Sequence, residues 1–317
     1  HARGDATSTL NITGRQTRIG ARIARGTMKG RLEFDFYGTS PENKNTVQLR
    51  YAVASVPLGS FTLETGQTSD VISPLVPGTV NYSVAWGAGN VGYRRPQVKL
   101  THVTQRTWLG VSLARNITGD LDGDTILDGD ASAVPAVQAR CALTAIDGEK
   151  NLTVGVSGHY GRCNCPAKGV DYSNWSVNTD VSIVPVAGWK ILAEAYRGSN
   201  MGSYAGAIYN SDTMNGVHSQ GAWANLQTRI GDSPWSLSLG AGMDDVDDKD
   251  LTRAELDRPD VRVRNQVAFA TAFYKLTPEM TLGVELSRWA TRYANVTPGN
   301  DPKPDNLRLQ WSMQANF

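Results

Sequence analysis

Apolar and polar residues alternate along the last eleven positions of the chain, 307–317. A repeat of two residues predicts a β-strand, because successive side chains in a strand point to opposite faces. This strand would therefore have one apolar face and one polar face. The apolar positions are Leu307, Leu309, Trp311, Met313, Ala315 and Phe317.

The same alternation recurs in fifteen segments, so the sequence predicts an all-β protein. Short turns, such as residues 57–60 and 147–149, join many of these segments in pairs, and longer polar connections lie between the pairs. Short turns at one end and long loops at the other are typical of antiparallel barrels that cross the bacterial outer membrane. The predicted strands span residues 14–23, 30–37, 47–56, 61–67, 95–103, 108–115, 134–145, 152–160, 174–184, 189–197, 220–230, 235–243, 261–276, 280–293 and 307–317.

The number of strands follows from the way a sheet must behave in lipid. Backbone groups cannot stay unpaired there, so a membrane-spanning sheet must close into a barrel. Bacterial single-chain barrels have an even number of strands. We therefore predict one transmembrane antiparallel β-barrel domain over residues 1–317, with about sixteen strands. Its first strand would precede His1 or lie within residues 1–10, and the polar residues 1–9 favour the former. Alternatively, the number of strands would be even if one predicted hairpin were split into further strands or merged into one strand.

Composition excludes several other classes of protein. The sequence contains 40% hydrophobic residues and has a mean hydropathy of -0.33. It has no apolar run of about 20 residues, which a transmembrane helix would require. The net charge of +1 argues against nucleic-acid binding, which usually needs a basic excess. Cys141, Cys163 and Cys165 form no CxxC pair, and no nearby ligand set completes a metal site. We therefore expect no cofactor, while the disulfide state of Cys163 and Cys165 stays open.

Aromatic residues lie near the ends of several predicted strands. Trp108, Trp189 and Trp235 each follow a short turn closely. Such positions place aromatic rings at one depth, as the interfacial girdle of a membrane barrel requires. Tyr37, Tyr160 and Tyr293 would then form a second girdle at the opposite end.

Placing the apolar face of each strand against lipid directs many charged residues inward. An unpaired buried ion costs several kcal/mol, so a lumen with so many charges must contain water. A wet lumen in a barrel of about sixteen strands is wide enough to conduct solutes. The predicted inward residues include Arg18, Arg22, Arg31, Glu33, Asp35, Arg50, Glu64, Lys99, Gln138, Arg140, Glu194 and Glu285.

Several short motifs resemble the sixteen-stranded trimeric porins of Gram-negative bacteria, with the DcaP-like porins as the most similar group. The motifs are RQTRIG at 15–20, GRLEFDFYG at 30–38, LRYA at 49–52, TGQT at 65–68, RRPQ at 94–97 and the terminal strand. The resemblance implies an outer-membrane homotrimer in contact with lipid and lipopolysaccharide. It also implies passive diffusion of small polar or anionic solutes, no enzymatic activity, and a C-terminal Phe317 that serves as the membrane-insertion signal.

In such porins the third extracellular loop folds into the barrel and narrows it, and residues 68–92 occupy that position. Asp70 is the only acid of this loop, and the matching basic wall would consist of Arg18, Arg22, Arg50 and Arg94 or Arg95. Guanidinium groups stay charged and hold carboxylates or phosphates, so this wall predicts an anion preference. The alternative is that the arginines only pair with acids of the wall. The predicted constriction comprises Arg18, Arg22, Arg31, Glu33, Arg50, Glu64, Asp70, Arg94, Arg95 and Lys99.

An acidic loop has part of a calcium-binding spacing. Asp120, Asp122, Asp124 and Asp128 occupy positions 1, 3, 5 and 9, but position 6 is not Gly and position 12 is Ala131. A solvated loop is the simpler interpretation. Weak calcium binding near lipopolysaccharide phosphates is the alternative.

Two other functions need consideration. A hydrolase would need either a nucleophile with a His base or a pair of carboxylates, yet His102 is predicted to face lipid and His218 lies in a polar loop. The alternation allows His159 to face inward, but the sequence places no Ser beside it. A sheath around a multihaem cytochrome would need a wide lumen without an inward loop. The conformation of residues 68–92 therefore distinguishes a porin from a sheath.

Overall fold

The computed structural model describes residues 8–38, 46–251, 261–294 and 303–316. Within them, fifteen strands form one antiparallel sheet in which each strand pairs with its neighbours in the chain. The all-β antiparallel prediction is confirmed. The strands are β1 (Ile19–Arg25), β2 (Met28–Asp35), β3 (Gln48–Leu58), β4 (Phe61–Ser69), β5 (Arg94–Val103), β6 (Thr107–Ala114), β7 (Ala136–Asp147), β8 (Lys150–Cys165), β9 (Val170–Val184), β10 (Trp189–Ser199), β11 (His218–Arg229), β12 (Trp235–Val246), β13 (Arg262–Lys275), β14 (Met280–Tyr293) and β15 (Asp305–Ala315).

Helical structure in the described residues is limited to single turns. They are α1 (Asp128–Ala131) and the 3-10 turns Pro166–Lys168, Gly202–Tyr204, Ala207–Tyr209 and Asp248–Asp250. None of these helices is long or apolar enough to cross a membrane.

The predicted sixteenth strand stays a prediction. Residues 8–18 form no strand, and residues 1–7 lie outside the described residues, as does Phe317 with its predicted role as an insertion signal. β1 and β15 form the two ends of the strand order.

The apolar face of the strands points outward, as the alternation predicts. In β15, Leu307, Leu309, Trp311 and Met313 are 71%, 75%, 67% and 63% exposed, while the alternate Gln310 is only partly exposed. Val154 and Val156 in β8 and Leu237 and Leu239 in β12 are exposed in the same way. These apolar side chains therefore do not pack against one another in a shared core, and an outward apolar face is what a barrel in lipid requires.

The interior is correspondingly polar. Gln138, Ser157, Asp180, Asn225 and Glu285, from five different strands, are each at least nine-tenths buried. Buried polar groups are tolerable only where hydrogen bonds satisfy them. The inward loops described below supply many of those bonds.

Two strands are longer than the sequence pattern predicts. Residues 161–173, which we expected to form a loop, instead extend β8 and β9 and end at the turn Pro166–Lys168. The alternation continues through this stretch, with Cys163 and Cys165 buried and Arg162 exposed. Gly169 closes the turn at a φ of 64°, a conformation that favours glycine.

Only some of the aromatic residues assigned to the predicted girdle lie on the outer face of the sheet. Trp189 and Trp235 are each 43% exposed at the first position of their strands. Trp108 instead lies on the inner face, where its ring passes over Gly110 and lies 5.0 Å from the guanidinium carbon of Arg140. The small residue at 110 leaves the space that this ring occupies.

Candidate functional site

The connection between β4 and β5 crosses the inside of the sheet. Its backbone N–H groups donate to inward side chains of β7, β8, β10, β11 and β14 in turn, and this succession shows that the sheet curls around the loop. The bonds are Val71 to Gln138 (3.0 Å), Ser73 to Ser157 (3.4 Å), Leu75 to Glu194 (2.8 Å), Gly78 to Asn225 (2.9 Å) and Val80 to Glu285 (2.7 Å).

These bonds explain how an irregular segment remains inside the lumen. An unpaired backbone N–H costs free energy when it is shielded from water, so each inward acceptor fixes one point of the loop. At the loop tip, the Glu285 carboxylate also accepts from the Thr79 and Thr271 hydroxyls. The sequence identified Gln138, Glu194 and Glu285 as inward residues but did not reveal their partners.

Asp70 and Arg95 lie at the base of this loop and not across an open pore from each other. The Arg95 guanidinium donates to both Asp70 oxygens, and the Gln138 amide donates to the Asp70 carboxylate at 2.7 Å. Both charged side chains are about 1% exposed. The expectation that Asp70 opposes the arginine wall, with Arg95 as part of that wall, is therefore wrong, because each of the two charges already neutralises the other.

A second inward segment, residues 200–217, was not predicted. The backbone carbonyls of Tyr204 and Ala205 accept from Gly92 and Gly87 of the first loop, at 2.7 and 2.9 Å. The sequence did carry one signal for this segment. Residues 200–217 include several apolar residues, and a loop exposed to water would not need them. The segment and the loop share a buried cluster that contains Ile72, Val91, Tyr196, Met201, Tyr204, Ile208 and Val217.

A basic cluster lies where β1, β2, β3 and β5 meet the loop tip. Arg50 pairs with Glu33 at 2.8 Å and with Asp35 at 2.6 Å, and Arg31 pairs with Glu33 at 2.6 Å. Arg18 is exposed, and its charge interacts with those of Arg50 and Glu33. Arg22, also exposed, is the register partner of Arg31 on β1.

Arg94 is the least satisfied member of this basic cluster. It is 7% exposed, and neither its Nε nor its Nη2 has a hydrogen-bond partner in the described part of the chain. Its guanidinium carbon lies 4.3 Å from the centre of the Tyr93 ring. Among the described residues, the acids beside Arg18, Arg31, Arg50 and Arg94 are Glu33 and Asp35, so the arginines outnumber them.

Tyrosines line the same cluster, and the sequence analysis did not assign them there. Tyr82 at the loop tip stacks on Tyr37 with 3.9 Å between ring centres, and its hydroxyl donates to Asp35 at 3.4 Å. Tyr37 therefore does not belong to an outer girdle. Tyr51 lies 3.7 Å from the Arg31 guanidinium carbon.

A β-bulge explains how two adjacent residues of β3 both reach this cluster. The register shifts between Glu33 and Phe34, so that Arg50 and Tyr51 together lie opposite one step of β2. Bulges of this kind redirect side chains and are common beside functional sites. Strict alternation would have sent one of the two residues outward.

Glu64 and Lys99 pair with each other at 2.6 Å on neighbouring strands β4 and β5. This pair corresponds to the alternative in which wall charges neutralise each other. The charges of Glu64 and Lys99 therefore offset each other locally.

The acidic loop brings together only part of its predicted calcium set. Asp120, Asp122 and Asp124 place ligand oxygens within 4.8 Å of one another. Asp128 is not part of this group, because it is buried and accepts from Tyr172 and Cys165 instead. Calcium binding by the remaining three residues stays a prediction.

The structure places a serine beside His159 that the sequence could not reveal. Nδ1 of His159 lies 2.7 Å from the Ser176 hydroxyl, and the imidazole stacks on Tyr204 with 3.8 Å between ring centres. Both residues are buried, and His159 Nε2 has no hydrogen-bond partner among the described residues. A catalytic triad needs a third group that orients the imidazole and access for a substrate, and this buried pair has neither in the part of the chain that the structure describes.

Comparisons with known proteins agree with the architecture. No family model matches the chain, and no curated protein matches it. Among solved structures, the outer membrane channel DcaP of Acinetobacter baumannii superposes with a TM-score of 0.74 at 19% identity, covering 96% of this chain and 86% of that one. Pseudomonas putida OprB gives 0.64 at 11% identity, with coverage of 95% and 87%. An anion-selective porin from Comamonas acidovorans gives 0.59 at 12% identity, with coverage of 94% and 89%. This chain therefore has the fold of the outer-membrane porins.

Proposed function

We propose that this protein lies in the bacterial outer membrane and acts as a passive diffusion channel for small hydrophilic solutes, with a modest preference for anions. The apolar exterior fits a lipid environment, and the polar interior fits an aqueous lumen. The proposed environment includes lipid and lipopolysaccharide, and the proposed assembly is a homotrimer, as the porin resemblance implies.

The excess of positive charge beside the loop tip carries the anion preference. Arg94 has two unpaired guanidinium nitrogens, and Arg18 forms no ion pair in the described part of the chain. Guanidinium groups stay charged at any physiological pH. Inside a narrow lumen, an unbalanced set of charges raises the local concentration of counter-ions, so anions should enter more readily than cations. The similarity to an anion-selective porin supports the same direction.

In this proposal, solutes pass through the channel and are selected without any chemical reaction. The loop at 70–93 and the segment at 200–217 occupy the lumen that a sheath would leave free for a threaded cytochrome. The buried pair of His159 and Ser176 gives little support to a hydrolase. A channel is therefore the function that the geometry supports best.

The test is a reversal-potential measurement across a planar bilayer with a salt gradient. The R18S and R94S variants, singly and together, should shift permeability from anions towards cations. The matched control is R115S, because Arg115 pairs with Asp130 in an exposed loop at 2.5 Å. An unchanged reversal potential in the double variant would overturn the arginine mechanism. Failure of the wild-type protein to conduct ions would overturn the channel.

A further inference from the structure

A row of charged and polar side chains crosses the outer face of five adjacent strands, β10 to β14. Each member is the register partner of the next, so the row runs across the sheet with roughly 4.8 Å between strands. The residues that alternate with them, such as Tyr196 and Asp244, are buried on the inner face. On β9 the next register partner is Val177, which is apolar and 56% exposed. This outer polar row consists of Arg197, Gln220, Asp245, Arg264 and Arg292.

The outer polar row lies at the opposite edge of the apolar surface from the tryptophan girdle. Trp189 and Trp235 begin β10 and β12 at the short-turn end, and Arg197 and Asp245 follow them by eight and ten positions. A rise of about 3.4 Å per residue on strands tilted by about 40° places the row roughly 20–26 Å above the girdle. The apolar band of an outer-membrane barrel is about 25 Å tall, so the row lies at its far interface. Long connections leave the strands at this end, which is the extracellular end in such barrels.

Apolar side chains cover the outer face directly below the row. They lie two, four and six positions along the same strands, towards the short turns, and each is exposed. The row therefore separates an apolar surface, which fits acyl chains, from the long loops above it. Examples of these apolar residues are Ala195, Ala222, Met243, Ala241 and Leu239.

The guanidinium groups of the row keep donors that no neighbouring residue uses. Arg197 is exposed, donates to Gln220 at 3.0 Å and forms no ion pair among the described residues. Arg292 reaches Asp248 only at 3.2 Å, and its Nε has no hydrogen-bond partner in the described ranges. Arg264 donates to its acidic register partner at 2.7 and 2.9 Å but is still 43% exposed. Because guanidinium groups hold phosphates through paired N–H donors, the row can bind a phosphorylated ligand.

A cavity of about 350 Å³ opens between the row and the residues that follow β12. Pockets of about 300–1,000 Å³ are large enough for small-molecule ligands. Cationic side chains bind phosphate, whereas carboxylates accept hydrogen bonds from hydroxyl groups. A ligand that matches this mixture carries phosphate and hydroxyl groups together, as a phosphorylated sugar does. The charged residues of the cavity wall are Arg197, Lys249, Arg292, Asp245, Asp247 and Asp248.

We propose that this surface binds the phosphorylated sugar headgroup of lipopolysaccharide, with the acyl chains against the apolar residues below the row. The proposal rests on the proposed outer-membrane location, because the row meets a glycolipid leaflet only there. Arg197, Arg264 and Arg292 would hold the phosphates, and the carboxylates of the cavity would accept from sugar hydroxyls. The position directly above an apolar surface favours a membrane glycolipid over free phosphate.

The test uses the full chain, refolded into detergent without lipid and titrated with lipid A, the phosphorylated sugar anchor of lipopolysaccharide. Native mass spectrometry measures the bound fraction. The wild type should bind lipid A saturably, and should bind lipid A without its phosphates at least ~10-fold more weakly, because the arginines then lose their ligands. One basic residue beside an anionic lipid contributes about fivefold in affinity, so R197S should bind about fivefold more weakly and R197S/R264S/R292S ~100-fold more weakly.

The matched control is R162S. Arg162 is an exposed arginine of β8 that pairs with Asp171 at 2.5 Å outside the row, so this variant should bind lipid A like the wild type. R197S keeps the test valid if the triple variant does not fold, because Arg197 has no ion pair among the described residues.

Three results would overturn the proposal. One is lipid A binding that R197S leaves unchanged, and another is equal binding of lipid A with and without its phosphates. The third is saturable binding of inorganic phosphate that R197S weakens equally, which would assign the row to a free anion. Loss of the oligomer in R197S with lipid A binding unchanged would assign the surface to a second copy of the chain.

Conductance separates this proposal from the proposed channel function. Because the three arginines face outward, R197S/R264S/R292S should keep the single-channel conductance and reversal potential of the wild type. Weaker lipid A binding with unchanged conductance would support the lipid site. An altered reversal potential would place these arginines at the lumen and overturn it. A wild type that binds lipid A but conducts no ions would overturn the channel alone.

Discussion

The Arg95 guanidinium donates to both carboxylate oxygens of Asp70, at 2.7 and 3.2 Å, at the point where the inward loop leaves β4. Both side chains are shielded from water, and the Arg95 guanidinium also lies 3.7 Å from the centre of the Tyr204 ring. The pair therefore connects the base of the first inward loop to the second inward segment.

Replacing one partner of this pair should be strongly destabilising. Asp70→Asn leaves Arg95 as a buried charge without a counter-charge, which typically costs about 3–5 kcal/mol. The free energy of unfolding, measured by urea titration in lipid vesicles, should fall by about that amount. The double variant D70N/R95Q should lose less than the sum of the two single variants, and strict additivity would contradict a direct interaction.

The loop tip should depend on Glu285. This carboxylate accepts from the Val80 amide and the Thr79 hydroxyl, so Glu285→Ala removes the bonds that hold the tip against β14. Single-channel recordings should show higher conductance and larger current fluctuations. Glu64→Ala is the matched control, because Glu64 pairs with Lys99 and has no bond to the loop among the described residues. Equal conductance in E285A and the wild type would place the tip outside the conducting path.

The outward face of β15 should not tolerate charge. Leu309 is 75% exposed on the apolar face, and an arginine on the lipid face of a barrel costs about 2–4 kcal/mol near the bilayer midplane. Leu309→Arg should therefore lower the free energy of unfolding in vesicles by roughly that amount. Gln310→Arg, one position along, faces inward opposite Glu285 and should cost much less. Equal effects of the two substitutions would argue against the assigned faces.

Asp212 should make stability depend on pH in a direction opposite to that of most carboxylates. Its pKa in the folded protein is raised to about 7, whereas an unfolded Asp titrates near about 3.9. The unfolded state therefore loses its proton first, and the folded state becomes less stable as pH rises from about 4 to about 7. Among the described residues, the charges of Asp128, Cys163 and Tyr172 interact with that of Asp212.

The variant D212N should remove this decline. It should exceed the wild type in stability at pH 8, by on the order of 2–4 kcal/mol, and match it at pH 4. Thermal unfolding midpoints across this pH range provide the measurement. A wild-type protein that is equally or more stable than D212N at pH 8 would show that Asp212 is already neutralised by another group.

The sequence by itself determined the class of fold, the inward and outward faces and the positions of most turns. A repeat of two is a local property of the chain, so Leu309 and Gln310 reveal their opposite faces without any knowledge of the neighbouring strands. The exclusion of transmembrane helices and the prediction of a wet, charged interior follow from the same local pattern.

Tertiary structure alone decided which inward groups meet. The bulge that brings Arg50 and Tyr51 to one cluster depends on the register between two strands, and the pairing of Asp70 with Arg95 depends on the path of a loop. Asp128 meets Cys165 and Tyr172, which lie far from it in the chain. Contacts between distant segments depend on how the whole sheet curls and which loops enter it, and hydrophobic alternation carries no information about either.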